Sequence, residues 1–386
     1  MRHLELFTTI APPIDKCSPS EWLRCTSRME PGPIPGLAVV DLFAGCGGMS
    51  LGALAAAHAR DRAFRICLAA DICETTIGVY RDNFGSYGER IEALDLACGA
   101  IGLSERAIER QRTALGEVGT PNLLLAGPPC QGHSDLNNRT RRSDPRNGLY
   151  LAAIRAVLAL RPDAAVIENV PTVVHDESGV VTRSDVILRR EGYSTQEFIF
   201  LASDAGVAQH RRRHVLVATS RGAFNIQDAI ARFSAPTQTL RDAIGDLAGN
   251  TRDVLFDSPS AMTEANRRRV DWLFGNRAYE LPNRYRPRCH RDGGHSYKSV
   301  YGRLRWDRPA PTITSGFGSM GQGRFVHPSK KRTLTPHEAA RIQSFPDGFD
   351  FSGCSGRVAL QQMIGNAVPP RMGACIVLGL IDQSLV

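Results

Sequence analysis

The sequence predicts an α/β fold, in which a mostly parallel sheet of the nucleotide-binding kind is joined by a smaller domain. Three observations predict it. Short apolar runs alternate with helical patterns from Leu37 to Thr219, as parallel strands and their crossover helices do. The first run feeds a glycine-rich turn, Phe43-Ala44-Gly45-Cys46-Gly47-Gly48. The alternation is then lost from Ser220 to about Lys331, in a chain of 386 residues, more than one core usually holds.

Leu37-Ala38-Val39-Val40-Asp41-Leu42 is apolar apart from one acid, the pattern of a strand covered on both faces. The glycines after it let the backbone approach a ligand closely, and Met49 to Ala59 is alanine-rich and helical. Ser50 stands where the third glycine of G-x-G-x-x-G would fall, so the turn is not a dinucleotide fingerprint. The next strand, Arg65 to Ala70, ends at Asp71, an acid placed either to bind ribose hydroxyls or to cap a helix. Ile72 beside it either covers an adenine face or packs in the core. A third unit ends at Asp95-Leu96, a helix runs from about Ser104 to Leu115, and Asn122 to Ala126 reads as a short buried strand.

Beyond that strand, Leu149 to Leu160 is an amphipathic helix, and the strand Ala164 to Glu168 delivers Glu168 and Asn169 to the ligand-facing end of the sheet. The strands Ser194 to Ala202 and His214 to Thr219 flank Gln209-His210-Arg211-Arg212-Arg213. In extended backbone Arg211 and Arg213 share a face; on its own this is equally a generic basic patch. Thr335-Pro336-His337-Glu338 is a capping box with proline at the first helical position, predicting a helix from Pro336 to Ser344. Gly365 to Pro370 reads as a loop before a terminal apolar helix, Arg371 to Ile381. The organisation expected is an extension (1–34), a first catalytic part (35–219), a small domain (220–331) and a returning segment (332–386).

Lys and Arg total 47 against 39 Asp and Glu, a net charge of +8 with a pI near 9.1, which favours a polyanionic partner, nucleic acid first. Runs such as Asn266-Arg267-Arg268-Arg269 and Tyr301-Gly302-Arg303-Leu304-Arg305-Trp306 interleave bases with aromatics, as nucleic-acid surfaces do, although any single arginine can be plain solvated charge. There is neither an apolar run long enough for a membrane span nor an apolar signal core in Met1 to Glu30, so no membrane is expected and the location expected is the cytoplasm, at the nucleoid. The ten cysteines contain no C-x-x-C pair and read as reduced thiols. Cys289, His290 and His295 fit no common zinc spacing, and no metal is expected.

The stretch around which the chain is organised is Gly127-Pro128-Pro129-Cys130-Gln131-Gly132-His133-Ser134. A lone cysteine is usually a packing residue. Here two prolines fix φ ahead of the thiol at the mouth of a parallel sheet, which aims it for chemistry. The polar, aperiodic stretch that follows, Asn137 to Asn147, reads as a long mobile loop, of a length that is usually functional or disordered.

In this order, Asp41-Leu42-Phe43-Ala44-Gly45-Cys46-Gly47-Gly48, Gly127-Pro128-Pro129-Cys130-Gln131, Glu168-Asn169-Val170, Gln209-x-Arg211-x-Arg213, Leu334-Thr335-Pro336-x-Glu338-Ala339-Ala340-Arg341 and Gly365-Asn366-x-Val368 resemble the motifs of the cytosine carbon-5 DNA methyltransferases. The resemblance implies a Rossmann-like, mostly parallel methyltransferase sheet with a smaller inserted target-recognition domain. It implies S-adenosylmethionine as methyl donor and S-adenosylhomocysteine as product. It implies Cys130 as nucleophile, protonated Glu168 as donor to the ring N3, and Arg211 and Arg213 as the groups that hold the base oxygen. Asp41, Phe43, Ala44, Gly45, Gly47, Gly48, Asp71, Ile72, Asp95, Leu96, Pro128, Asn366 and Val368 are then expected around the cofactor, with Asp71 on the ribose and Asp95 on the adenine amino group. Gln131, Ser134, Asn169 and Gln209 are expected at the substrate. His133 stands where many relatives carry Phe. Double-stranded DNA is the expected partner, with a monomer as the working unit and a cognate restriction endonuclease as a companion. An RNA-directed enzyme on the same fold and an inactive nucleic-acid-binding relative are the competing readings. The absence of a Cys-Phe-Thr run argues against the former, and retention of Cys130, Glu168, Arg211 and Arg213 against the latter.

Overall fold

The computed structural model describes residues 11–27, 29–88, 90–99, 102–129, 148–249, 254–291 and 300–386. A short capped helix, α1 (Pro19–Leu23), precedes β1 (Ile34–Leu42), α2 (Gly48–His58), β2 (Arg62–Asp71), α3 (Glu74–Phe84), β3 (Ile91–Ala93), α4 (Glu105–Leu115) and β4 (Leu123–Ala126). Then come α5 (Leu149–Leu160), β5 (Ala164–Asn169), α6 (Val180–Arg190), β6 (Ser194–Leu201), β7 (Gln209–His210) and β8 (Arg212–Thr219). Seven strands form one sheet in the order β3-β2-β1-β4-β5-β8-β6. All neighbouring pairs are parallel except the two made by β8, which runs against β5 and β6.

Alternation along β1 explains the layering. Leu37 and Val39 join the core on one face of the sheet, while Ala38, Val40 and Leu42 join the core on the other. The first core is closed by α2 and, from the far end of the chain, by α12 (Pro370–Asp382); the second by α4, α5 and α6. The order of strands reverses between β1 and β4, so the loops at their carboxyl ends diverge and leave a crevice there.

The chain after β8 first stays with the main body. Phe224, Ile226, Phe233, Leu240 and Ile244, on and beside α7 (Ile226–Phe233) and α8 (Leu240–Ile244), are buried in the first core. A separate small core forms from Val270 and Leu273 of α9 (Glu264–Gly275) with Leu281, Val300, Tyr301, Met320 and Val326. Residues 224–247 therefore pack with the sheet domain, a difference from the expected boundary at 220. Likewise the start of the chain is packed in: Ile14 and Trp22 are 1% exposed, and Trp22 Nε1 donates to the Ser344 carbonyl at 2.8 Å.

A two-residue strand, β9 (Ala310–Pro311), pairs in parallel with β7 and leads the chain back. The helix α10 (Pro336–Ile342) carries the expected capping box, Thr335 with Glu338, and α11 (Arg357–Asn366) precedes α12. The stretch Arg357–Asp382 is apolar enough in composition to cross a membrane, but it is broken at Ala367–Pro369 and 89% of its most apolar window is buried inside the protein.

Candidate active site

The crevice opens into a cavity of about 1580 Å³. Its floor is the turn after β1. Phe43 has φ 55°, Gly45 φ 55° and Gly47 φ 93°; the last two are left-handed conformations that glycine adopts without steric cost. Gly47 caps α2 and does not line the cavity. Asp71, at the end of β2, accepts a hydrogen bond from Gly45 N at 3.1 Å through one carboxylate oxygen and from Cys73 N at 3.0 Å through the other. It thus ties the turn to Cys73, the residue before α3. Ile72 is not core: it is 76% exposed and lies on the cavity wall. Asp95 is exposed at the next strand end, and Leu96 lies behind it.

Asp41 departs from expectation. It is fully buried beneath the turn and accepts from Ser50 Oγ at 2.6 Å, which in turn accepts from the Tyr80 hydroxyl at 2.7 Å. Burial raises its pKa from 3.8 to about 7. It does not line the cavity; it braces the turn from below. Burial also pushes the pKa of the Cys46 thiol, on the cavity wall, far up.

The returning segment forms the opposite edge. Asn366 is exposed to the cavity and Val368 lines it. The approach is close: a Cβ on Gly48 would sit 2.2 Å from the Val368 carbonyl oxygen, and one on Gly365 would sit 2.3 Å from Ser315 N. Arg211, 1% exposed, holds this edge, donating to the carbonyls of Ile313 (3.0 Å), Gly365 (3.4 Å) and Ala367 (3.0 Å). The guanidinium organises backbone while Arg211 lines the cavity. Gln209, expected at the substrate, does not line the cavity. It is fully buried, accepts from Ile313 N at 2.7 Å and donates to Gln343 Oε1 at 2.8 Å, tying β7 to the returning segment.

Glu168 and Arg213 meet on the cavity wall. Glu168 lies near the end of β5, and Arg213 on the antiparallel neighbour β8 brings Nε to 2.7 Å from Glu168 Oε1, with side chains 11% and 13% exposed. Both line the cavity. Asn169 points away from it: 1% exposed, it donates to the Pro128 carbonyl at 3.2 Å and accepts from Val170 N at 2.8 Å. It holds the proline turn rather than facing the cavity. Pro128 and Pro129 are on the wall, and Gly127 keeps Glu168 Oε2 about 4.0 Å from where a Cβ would be. Cys130, Gln131 and Ser134, with the loop to Asn147, lie outside the described residues.

Sequence reasoning missed the wall opposite. Thr312, Ile313, Thr314 and Ser315 line the cavity beside Arg211, and Glu280, Arg305, Arg308 and Arg324 line it from the small domain. The alternation of Pro311-Thr312-Ile313-Thr314 was the available signal for the former. For the latter there was none, because arginines recur throughout that stretch. Among the described residues no group of His, Cys, Asp and Glu is arranged to hold a metal ion.

The model of the C-5 cytosine-specific DNA methylases matches residues 37–380. The Type II methyltransferase M1.BsuMI of Bacillus subtilis is 43% identical over 359 residues, 92% of this chain and 83% of that protein. The Type II methylase M.HgiDII of Herpetosiphon aurantiacus is 29% identical, over 88% of this chain and 93% of its own length. In fold, the S. pombe Dnmt2 methyltransferase superposes with a TM-score of 0.61 at 17% identity, covering 90% of this chain and 99% of its own. A match across the sheet domain, the small domain and the returning segment leaves one conclusion: the chain belongs to the C-5 cytosine-specific DNA methylases and is a DNA (cytosine-5)-methyltransferase.

Proposed function

We propose that the protein transfers a methyl group from S-adenosylmethionine to carbon 5 of a cytosine turned out of duplex DNA, through a transient bond to Cys130. The observation that carries this is the Glu168–Arg213 pair, set in the same cavity as the β1–α2 turn and one wall away from Pro129, the residue joined to Cys130.

The donor, when bound, supplies an electrophilic methyl on a sulfonium. The residues fit it: Ile72, exposed on the cavity wall, would cover the adenine, Asp71 would take the ribose hydroxyls and Asp95 the amino group, and Phe43, Asn366 and Val368 would close around the rest. On the substrate side, Cys130 Sγ adds to carbon 6, which makes carbon 5 nucleophilic. Glu168 acts at N3, passing a proton there as charge develops on the ring, and Arg213, paired with Glu168, holds it and the O2 carbonyl of the base. After methylation a base takes the carbon-5 proton, the Cys130–C6 bond breaks, and the thiolate is restored.

A cytosine inside a duplex cannot present carbons 5 and 6 to this cavity, so extrusion, at a cost of a few kcal/mol, belongs to the proposal. We assign DNA recognition to the small domain built around α9 and Tyr301, from about 254 to 326. Pairing with a restriction endonuclease and action as a monomer complete the reading; the Type II names of the relatives support the first.

The test is transfer of labelled methyl to duplex DNA and to transfer RNA by the full chain and by Cys130→Ala. Label in DNA only, abolished in the variant while donor binding persists, is expected. Undiminished turnover by Cys130→Ala, or label confined to RNA, would refute the reading.

A further inference from the structure

We propose that Arg305 reads a guanine next to the methylated cytosine; the inference rests on the function proposed above and names the residue that sets its specificity. Tyr279-Glu280 and Gly302-Arg303 form an antiparallel bridge, with Arg303 N donating to the Tyr279 carbonyl at 2.8 Å. Arg303 and Arg305, two positions apart, both lay their guanidinium groups on the Tyr279 ring, at 4.3 and 4.0 Å from its centroid. Arg303 also lies 4.7 Å from the Phe274 centroid and is only 9% exposed. The result is a column, Phe274–Arg303–Tyr279–Arg305, that starts beside the small core and ends at the cavity, which Arg305 lines.

The column decides what Arg305 can do. A lone surface arginine sweeps many rotamers and suits a phosphate, a target that accepts almost any approach. A guanidinium stacked on a tyrosine has lost that freedom already and presents its planar donor edge in a set direction. That edge matches the two acceptors, O6 and N7, which guanine alone shows in the major groove. Next to it on the wall, Arg324 donates to Glu280 at 2.6 Å, so the neighbouring cation is already partnered.

The experiment offers the full-length protein and the variants Arg305→Ala and Arg305→Lys, with S-adenosylmethionine, a duplex library randomised around a central cytosine, and reads methylation by bisulfite sequencing. The wild type is expected to require guanine at one flanking position. Both variants are expected to lose that preference about tenfold or more, with other positions unchanged, because lysine restores charge but not the bidentate edge. Unchanged preference in Arg305→Lys with weaker, salt-sensitive methylation in Arg305→Ala would mark a phosphate contact and overturn the inference. A wild type that methylates no member of the library would instead refute the function on which it rests.

Discussion

Asp41 and Asp71 end neighbouring strands and look alike in sequence, yet they do different work. Asp71 is tied to the turn and to α3 at the cavity edge, whereas Asp41 is sealed beneath with Ser50 and Tyr80. Both leave the same face of the sheet; the difference follows from position along it, since Asp41 pairs with Ala69 and Asp71 lies two residues further on, and a pattern of residue types does not carry that register. Burial gives Asp41 a higher proton affinity folded than unfolded, so its contribution to stability is complete below about pH 4 and is lost as pH rises through about 7. Asp41→Asn titrates nothing in this window. Denaturant unfolding should show the wild type losing about 2 kcal/mol or more relative to Asp41→Asn between pH 5 and pH 8. A constant difference between the two would contradict the buried, raised carboxyl. The same limit hid the roles of Arg211 and Gln209. The motif placed them at the site, but their bonds to Ile313, Gly365, Ala367 and Gln343 depend on a segment more than a hundred residues away in the chain.

At the scale of elements, the strands of the sheet and α2, α4, α5, α10 and α12 were legible because apolar runs, glycine turns and one capping box mark their ends. The helix α5 spans Leu149–Leu160, as its periodicity predicts. The helices α3, α6 and α9 were not read, since their polar faces dominate short windows, and the β7–β9 pair was invisible because two-residue strands carry no period. The joint between α2 and the returning segment lies on the cavity proposed for the donor. At Gly48 an added methyl would press on backbone, the Val368 carbonyl, rather than on a flexible side chain. Gly48→Ala should therefore cost about 1–3 kcal/mol of stability and weaken S-adenosylmethionine binding at least about fivefold. Calorimetric titration and thermal melting check this; wild-type affinity in the variant would mean that the two segments need not approach so closely.

On the scale of the molecule, the charge of +8 is the one property the sequence gives for the surface as a whole, and it is read there without knowing the fold. The structure places part of it at the cavity, with Arg212 and Arg308 on its walls. If the protein grips about four phosphates, its affinity for duplex DNA should fall about a hundredfold between about 50 and about 200 mM salt. A flat response in a filter-binding or anisotropy titration would place the grip elsewhere.

The central claim is the covalent bond between Cys130 and an extruded cytosine, and trapping tests it most directly. In a duplex carrying 5-fluorocytosine, the fluorine cannot leave as the proton does, so the bond from sulfur to carbon 6 should persist once the methyl has been transferred. With S-adenosylmethionine present, the wild type should form a one-to-one complex that survives denaturation, mapped by mass spectrometry to the peptide containing Cys130, and Cys130→Ala should form none. Normal turnover on unmodified duplex without any such complex, or a complex mapped to another residue, would contradict the account.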